Sequence, residues 1–286
     1  MSANLSPIKQ LLDESYRNKI GELSLFIQVS KSEIQFAFFD PNQKKIVGLE
    51  AWQIETNENW HQLGAHISEL LLNEYQSTDF KSVSLALVSS LYTLVPSPLF
   101  QSSKKQDYIE LNHQLHDPLE FTFLSEEVSG VKSQLVYAFP TNLYRYLSGT
   151  FGKIQFHHYL TPCLEAVSLR AIGKESMHIH IGSDRFDVCY FANEKLQLVN
   201  SFTYQSTEDF IYYLLYVMEQ LKINRDRIPL FIQGEFEESS HLIDLIHNYV
   251  RSPQIVERSK AINYSKPLDQ LPRHQYANLF NLYLCA

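Results

Sequence analysis

The chain has 286 residues, 44% apolar and 20% charged, a balance that excludes wholesale disorder and suits a soluble globular protein long enough for two lobes. A net charge of −8, with no basic run longer than Lys44-Lys45 or Lys104-Lys105, argues against nucleic acid as a partner, because that binding needs clustered cations. The three cysteines, Cys163, Cys189 and Cys285, lie far apart without CxxC spacing, which predicts reduced thiols and a cytoplasmic setting.

The first 20 residues read as a loosely held arm with one amphipathic turn around Ile8, Leu11 and Leu12, and show no signal-peptide pattern. Residues 23–53 then alternate apolar runs with short polar turns, predicting three strands. Leu63, Ile67, Leu70 and Leu71 follow at helical spacing, with Asn57 as the expected N-cap. The run "SVSLALV" at 82–88 is continuously apolar, as in a strand covered on both faces. A Pro-punctuated stretch, 89–131, reads either as an insertion in the first lobe or as its periphery, and "SQLVYAF" at 133–139 as a strand. Next come a helix over 141–149 capped by Thr141 or Asn142, a strand over 153–159, and a helix over 162–173 with Thr161 as N-cap and Pro162 in the first helical position.

The second half restates this order. Strands are expected at 177–182, 185–192 and 195–204, then a helix over "STEDFIYYLLYVMEQLKI" capped by Ser206 or Thr207 and buried by its aromatic residues. A strand at 228–234, a helix at 237–250, a strand at 254–257 and a final helix over "QYANLFNLYLCA" complete the chain. In that last segment Tyr276, Leu279, Phe280, Tyr283 and Leu284 form an apolar stripe. No greasy stretch is long and unbroken enough to span a bilayer as a helix.

Three strands, a helix, then further strand and helix units, stated twice, resemble the layout of the actin, Hsp70 and sugar-kinase superfamily. The chain resembles an uncharacterised bacterial family with an actin-like ATPase fold, and the "LVPSPLF" segment at 94–100 adds to the resemblance. The implied fold is α/β, a duplicated, ribonuclease-H-like pair of lobes, each a mixed sheet flanked by helices. The expected lobes are 21–174 and 175–286.

The resemblance also implies where chemistry would sit. In that superfamily the first hairpin turn of each lobe offers backbone amides to the nucleotide phosphates, and an Asp in a DxG pattern holds magnesium. Here Gln28, Val29 and Ser30 fill the DxG place in the first half, and His180, Ile181 and Gly182 fill it in the second. Both carboxylates are replaced. The adenosine segment resembles "LFIQGEF", where Gly234 stands alone between Gln233 and Glu235. A retained nucleotide site would therefore comprise Ser30, Lys31, Gly182, Ser183, Asp184, Gly234 and Glu235. No cofactor is expected, with ATP and magnesium as the alternative.

Other constellations carry less. His178 and His180 share one face of a strand at two-ligand spacing, without further ligands nearby in sequence. His113, His116 and Asp117 could converge on one turn, although a solvated helix end before Pro118 is simpler. His157 and His158 are strand neighbours, so their side chains should not act together on a single ligand. Cys163 opens a helix but lacks an identifiable histidine partner for nucleophilic chemistry.

The sequence thus points to a non-catalytic, degenerate actin-like protein that binds a protein partner. The alternative is an ATPase or kinase of the same superfamily with Asp184 or Glu235 as a rearranged metal ligand. A ribonuclease-H-type nuclease ranks last, because Gln28 occupies its first-strand acid position.

Overall fold

The computed structural model describes residues 6–54, 60–75, 78–171 and 175–285, apart from the side chains of Ser6 and His61. The expected cap Asn57 and the end of the expected helix 162–173 lie outside these residues. The chain divides into two compact units: residues 1–162 with 260–270 and 279–286, and residues 163–259 with 271–278. The expected boundary at 174/175 therefore falls within the second unit, and the end of the chain returns to the first.

In the first unit β1 (Ser6–Leu12), β2 (Ser24–Val29), β3 (Glu33–Asp40), β4 (Lys45–Gln53), α1 (Trp60–Tyr75) and β5 (Ser82–Leu87) come in chain order. β6 (Tyr92–Pro96), α2 (Lys105–Glu110), β7 (Phe121–Val128) and β8 (Ser133–Pro140) follow, then α3 (Thr141–Thr150), β9 (Ile154–His158) and α4 (Leu160–Ser168). The main sheet has the order β1-β4-β3-β2-β5-β9, with β2, β5 and β9 parallel and the other pairs antiparallel. Val83, Leu85, Ala86 and Leu87 are all buried, as the uninterrupted apolar run of β5 requires.

Residues 6–20 are not a loose arm. Leu11 and Leu12 pair with Leu49 and Gly48 of β4, and a Cβ added to Gly48 would lie 2.6 Å from Leu12 Cδ1, so the glycine admits the leucine. Asp13 then caps a 3₁₀ turn, accepting from Ser15 N at 3.2 Å. On β4, the buried Glu50 accepts from Trp52 Nε1 at 3.3 Å and from the Tyr75 hydroxyl at the end of α1. Burial pushes the Glu50 carboxyl above the usual carboxylate range.

The 89–131 stretch does not interrupt the main sheet. β6 and β7 flank β8 in a separate three-stranded antiparallel sheet with a small core of Val95, Ile109 and Val136. α3 starts at Thr141, so neither Thr141 nor Asn142 caps it: the cap position is Pro140, whose side chain has no acceptor, and the Thr141 hydroxyl bonds that of Thr122 at 3.1 Å. α4 begins at Leu160, so Pro162 sits at its third residue rather than its first. A proline there still breaks no bond, since the first four amides of a helix have no intrahelical acceptor.

The second unit holds β10 (Glu175–Ile181), β11 (Arg185–Ala192), β12 (Lys195–Thr203), α5 (Thr207–Gln220), β13 (Leu230–Gly234), α6 (His241–Tyr249) and β14 (Pro253–Ile255). Its sheet order, β12-β11-β10-β13-β14, repeats β4-β3-β2-β5-β9 strand for strand, with the same directions. Counted from the innermost hairpin pairs, Val29↔Ile34 and Ile181↔Phe186, the register shift between Phe38 and Phe39 falls at the same step as that between Tyr190 and Phe191. The duplication thus extends to an irregularity.

Ser206 caps α5 in a capping box, accepting from Asp209 N at 3.1 Å while Asp209 accepts from Ser206 N at 3.2 Å. Phe210, Leu214, Val217 and Met218 bury one face of α5 against Ile179, Ile181 and Val188, while Tyr212 and Tyr216 are exposed, so the helix is not enclosed all round. β15 (Asn263–Tyr264) returns to pair with β4 in the first unit. The expected terminal helix is only α7 (Ala277–Phe280) followed by a 3₁₀ turn over Asn281–Leu284.

The opposite face of the second sheet is polar. His178 and Cys189 are cross-strand partners, as are His180 and Asp187. With Cys163, Arg170 and Gln233, the residues His178, His180 and Cys189 line a cavity of about 10 Å³, room for one water. His178 stacks on Phe231 at 4.9 Å, and burial together with the Arg170 charge lowers its pKa from 6.5 to about 4. Between these values the unfolded chain carries a proton on this residue that the folded chain lacks, so stability falls as pH drops from about 6.5 toward 4. The full effect is about 3 kcal/mol. Urea midpoints compared at pH 7 and pH 4.5 should show this loss in the wild type, and a His178→Gln variant should show a correspondingly smaller one.

Candidate functional site

Open α/β sheets carry ligands at the ends of their central strands. In the first unit the β2–β3 turn is held by Ser30. Its Oγ accepts from Ser32 N at 3.2 Å and Glu33 N at 3.0 Å, while Ser30 N donates to Glu33 O at 2.9 Å. Lys31 places its ammonium 6.0 Å from the centroid of the Trp60 ring, a cation–π contact on the first residue of α1. Gln28 donates to Gln35 Oε1 at 3.1 Å, and Gln35 donates to Glu33 Oε1 at 3.1 Å, an amide ladder across the hairpin.

In the second unit β10 and β13 run parallel to the pair Ile181↔Gly234. Gly234 has φ +124, and a Cβ on it would lie 2.1 Å from Ile181 O and 2.7 Å from Ile181 N. The need for glycine here comes from backbone packing. Gly182 is different: its N–H donates to Arg185 O at 2.8 Å, and a Cβ would meet nothing nearer than that oxygen at 3.3 Å.

Tyr204, absent from the sequence-derived set, draws the remaining candidates together. Its hydroxyl donates to Gly182 O at 2.8 Å and its N–H donates to Asp184 O at 3.1 Å. Burial first, and then the charges of Asp184 and Glu235, raise the phenol's pKa. Both acids therefore lie within electrostatic reach of one hydroxyl, while Ser183 is an exposed residue of the same turn. His274 was also not foreseen. Its carbonyl accepts from Gly234 N at 3.2 Å, and its ring, stacked at 4.1 Å on Phe236, donates from Nε2 to Phe236 O at 2.9 Å.

Gln28 and His180, the residues at the two positions where a metal-holding acid is expected, do not fit magnesium, which demands hard oxygen ligands in octahedral geometry. Gln28 offers a neutral amide in a ladder. His180 offers an imidazole whose basicity is lowered mainly by burial, with Asp187 opposing that effect and Arg185 adding to it. Asp187, the acid opposite His180, is engaged by Ser201 Oγ at 2.5 Å and by Arg185 at 3.6 Å. Among the described residues, no group of three or more His, Cys, Asp or Glu side chains is placed to hold a metal ion.

The remaining candidates separate. His113 donates from Nε2 to Tyr92 O at 2.9 Å, Asp117 accepts from Leu119 N at 2.9 Å, and His116 is exposed, so the three do not converge. The side chains of His157 and His158 do point apart, the His158 ring bonding Ser89 O at 3.0 Å, but the His158 backbone amide joins the His157 ring on one carboxylate. His157 Nδ1 lies 2.6 Å from Glu126 Oε2 and His158 N donates to Glu126 Oε1 at 2.7 Å, joined by the Thr161 hydroxyl at 2.5 Å. Strand alternation separates the two side chains but not one side chain from its neighbour's amide. Cys163 is buried beside Cys189, whose thiol is pushed up chiefly by its hydrogen bond with Cys163 and by burial.

A family of proteins of unknown function, DUF3822, matches residues 14–252. The chain belongs to that family. Two solved structures show the fold of this DUF3822 protein. One is a Bacteroides thetaiotaomicron protein described as having an actin-like ATPase fold and unknown function, with 22% identity over 88% of this chain and 96% of that chain, at TM-score 0.72. The other is the PilM-PilN type IV pilus biogenesis complex, with 15% identity over 92% and 98% of the two chains, at TM-score 0.62. No curated protein matches this chain. The DUF3822 protein therefore has an actin-like fold, and among its described residues no helix is long and apolar enough to cross a membrane.

The two glycines make a contrast that can be measured. Gly234→Ala should lower stability by about 3 kcal/mol, because the backbone must move and a positive φ must be held by a residue with a Cβ. Gly182→Ala should cost no more than about 1 kcal/mol. Chemical denaturation of the two variants checks both.

Proposed function

We propose that this DUF3822 protein is a cytoplasmic, non-hydrolysing actin-like module that recognises a protein partner. What supports the reading is that the positions the resemblance assigns to metal-holding acids carry Gln28 in one unit and His180 in the other. Phosphoryl transfer spreads negative charge over the γ-phosphate and depends on a cation to stabilise it. A neutral amide and an imidazole do not hold one as a pair of carboxylates would. A chain of the same fold in the PilM-PilN complex takes part in a protein assembly, which supports a recognition role.

One observation favours a second reading, an ATPase or kinase with displaced ligands: Asp184 and Glu235 act on the same phenol, Tyr204. The two readings part in a turnover assay. With magnesium and ATP the purified chain should release phosphate no faster than a protein-free blank, and Asp184→Asn should leave that unchanged. Turnover above the blank that Asp184→Asn abolishes would establish the enzyme instead.

A further inference from the structure

We propose that five amides at the strand ends where the resemblance would place an anion, those of Ser32, Glu33, Gly182, Gly234 and Glu235, are occupied by the protein's own acceptors, so both units hold these amides without nucleotide. The inference rests on the non-hydrolysing reading but goes further, since a protein can bind nucleotide without hydrolysing it.

In the first unit the acceptor is a side chain. Successive backbone amides in a turn form a concavity that suits an anion. Here Ser32 N and Glu33 N both donate to Ser30 Oγ, at 3.2 and 3.0 Å, and Ser32 Oγ lies 3.3 Å from the same atom. The serine hydroxyl is the guest of the turn it belongs to. Ser30 N is bound to Glu33 O, and the Ser32 carbonyl accepts from Ile54 N at 2.9 Å, which ties the turn to the chain just past β4. Lys31, the one cation of the turn, is spent on Trp60.

In the second unit the acceptors are main-chain carbonyls. Gly182 N is bound to Arg185 O, Gly234 N to His274 O and Glu235 N to Ile181 O at 2.8 Å. The His274 carbonyl is held in place because the His274 ring and Gln275 Nε2 both donate to Phe236 O, at 2.9 and 3.0 Å. The segment 271–278 thus clamps the residues after β13. An incoming phosphate would have to displace acceptors that are tethered, and so present at high effective concentration.

Amide hydrogen exchange on the full chain tests this. In the wild type Ser32, Glu33, Gly182, Gly234 and Glu235 should exchange slowly, and millimolar magnesium ATP or ADP should leave their rates unchanged. Ser30→Ala should speed exchange at Ser32 and Glu33 by about tenfold, the loss of one hydrogen bond's protection, without altering the second unit. Ser30→Thr, which keeps the hydroxyl, should preserve slow exchange and controls for misfolding. Unprotected amides in the wild type, or slowing of these five by nucleotide, would overturn the inference. Slowing by nucleotide without phosphate release would do so while leaving the non-hydrolysing reading intact, and phosphate release would remove both.

Discussion

The approach of β13 to β10 at Gly234 is the constraint around which the second unit is organised. With the Gly234 α-carbon so close to Ile181 that even a methyl group would strike its carbonyl, the parallel ladder can run to the last residue of both strands. That contact fixes where each chain leaves the sheet. It aims Gly182 toward the Tyr204 hydroxyl, hands Glu235 N to Ile181 O, and presents Gly234 N to the returning His274. The polar cluster at this end of the sheet is a consequence of one tight backbone packing, not of independent placements.

The first unit solves the equivalent problem with other chemistry. Its parallel partner at the matching position is Leu87, paired with Val29, so no such close approach occurs there. Closure of the turn instead falls to Ser30. The two copies share their main-chain bonds, Ser30 N to Glu33 O matching Gly182 N to Arg185 O and Val88 N to Val29 O matching Glu235 N to Ile181 O, and differ in what is added, a side-chain hydroxyl in one and a glycine clamped by His274 in the other. The cross-strand pairs behind the turns, Gln28 with Gln35 and His180 with Asp187, diverged in parallel, from an all-amide pair to an imidazole facing a carboxylate.

Strand order was legible because short apolar runs separated by polar turns carry a strong period, and because the second half repeats the first. The α5 cap was legible as Ser206 or Thr207, and the structure selects Ser206 through its reciprocal bond with Asp209. What escaped was non-local. Residues 6–12 look like an arm until Gly48 is known to lie beneath Leu12. Tyr204 and His274 carry no motif, and matter only because the fold brings them to Gly182 and Gly234. Glu126 lies far in sequence from the two histidines it unites, so alternation within β9 gave no hint of it.

The return of the chain has a consequence for how the molecule is made. β15 pairs with β4 in the first unit, across more than two hundred intervening residues, and Ser265 Oγ donates to Val47 O at 3.1 Å. A ribosome delivers the whole contiguous stretch of the second unit before it releases these residues. The first unit must therefore wait, unfinished at one side of β4, and the second is itself incomplete until residues 271–278 follow, so neither unit is finished before these late segments are made.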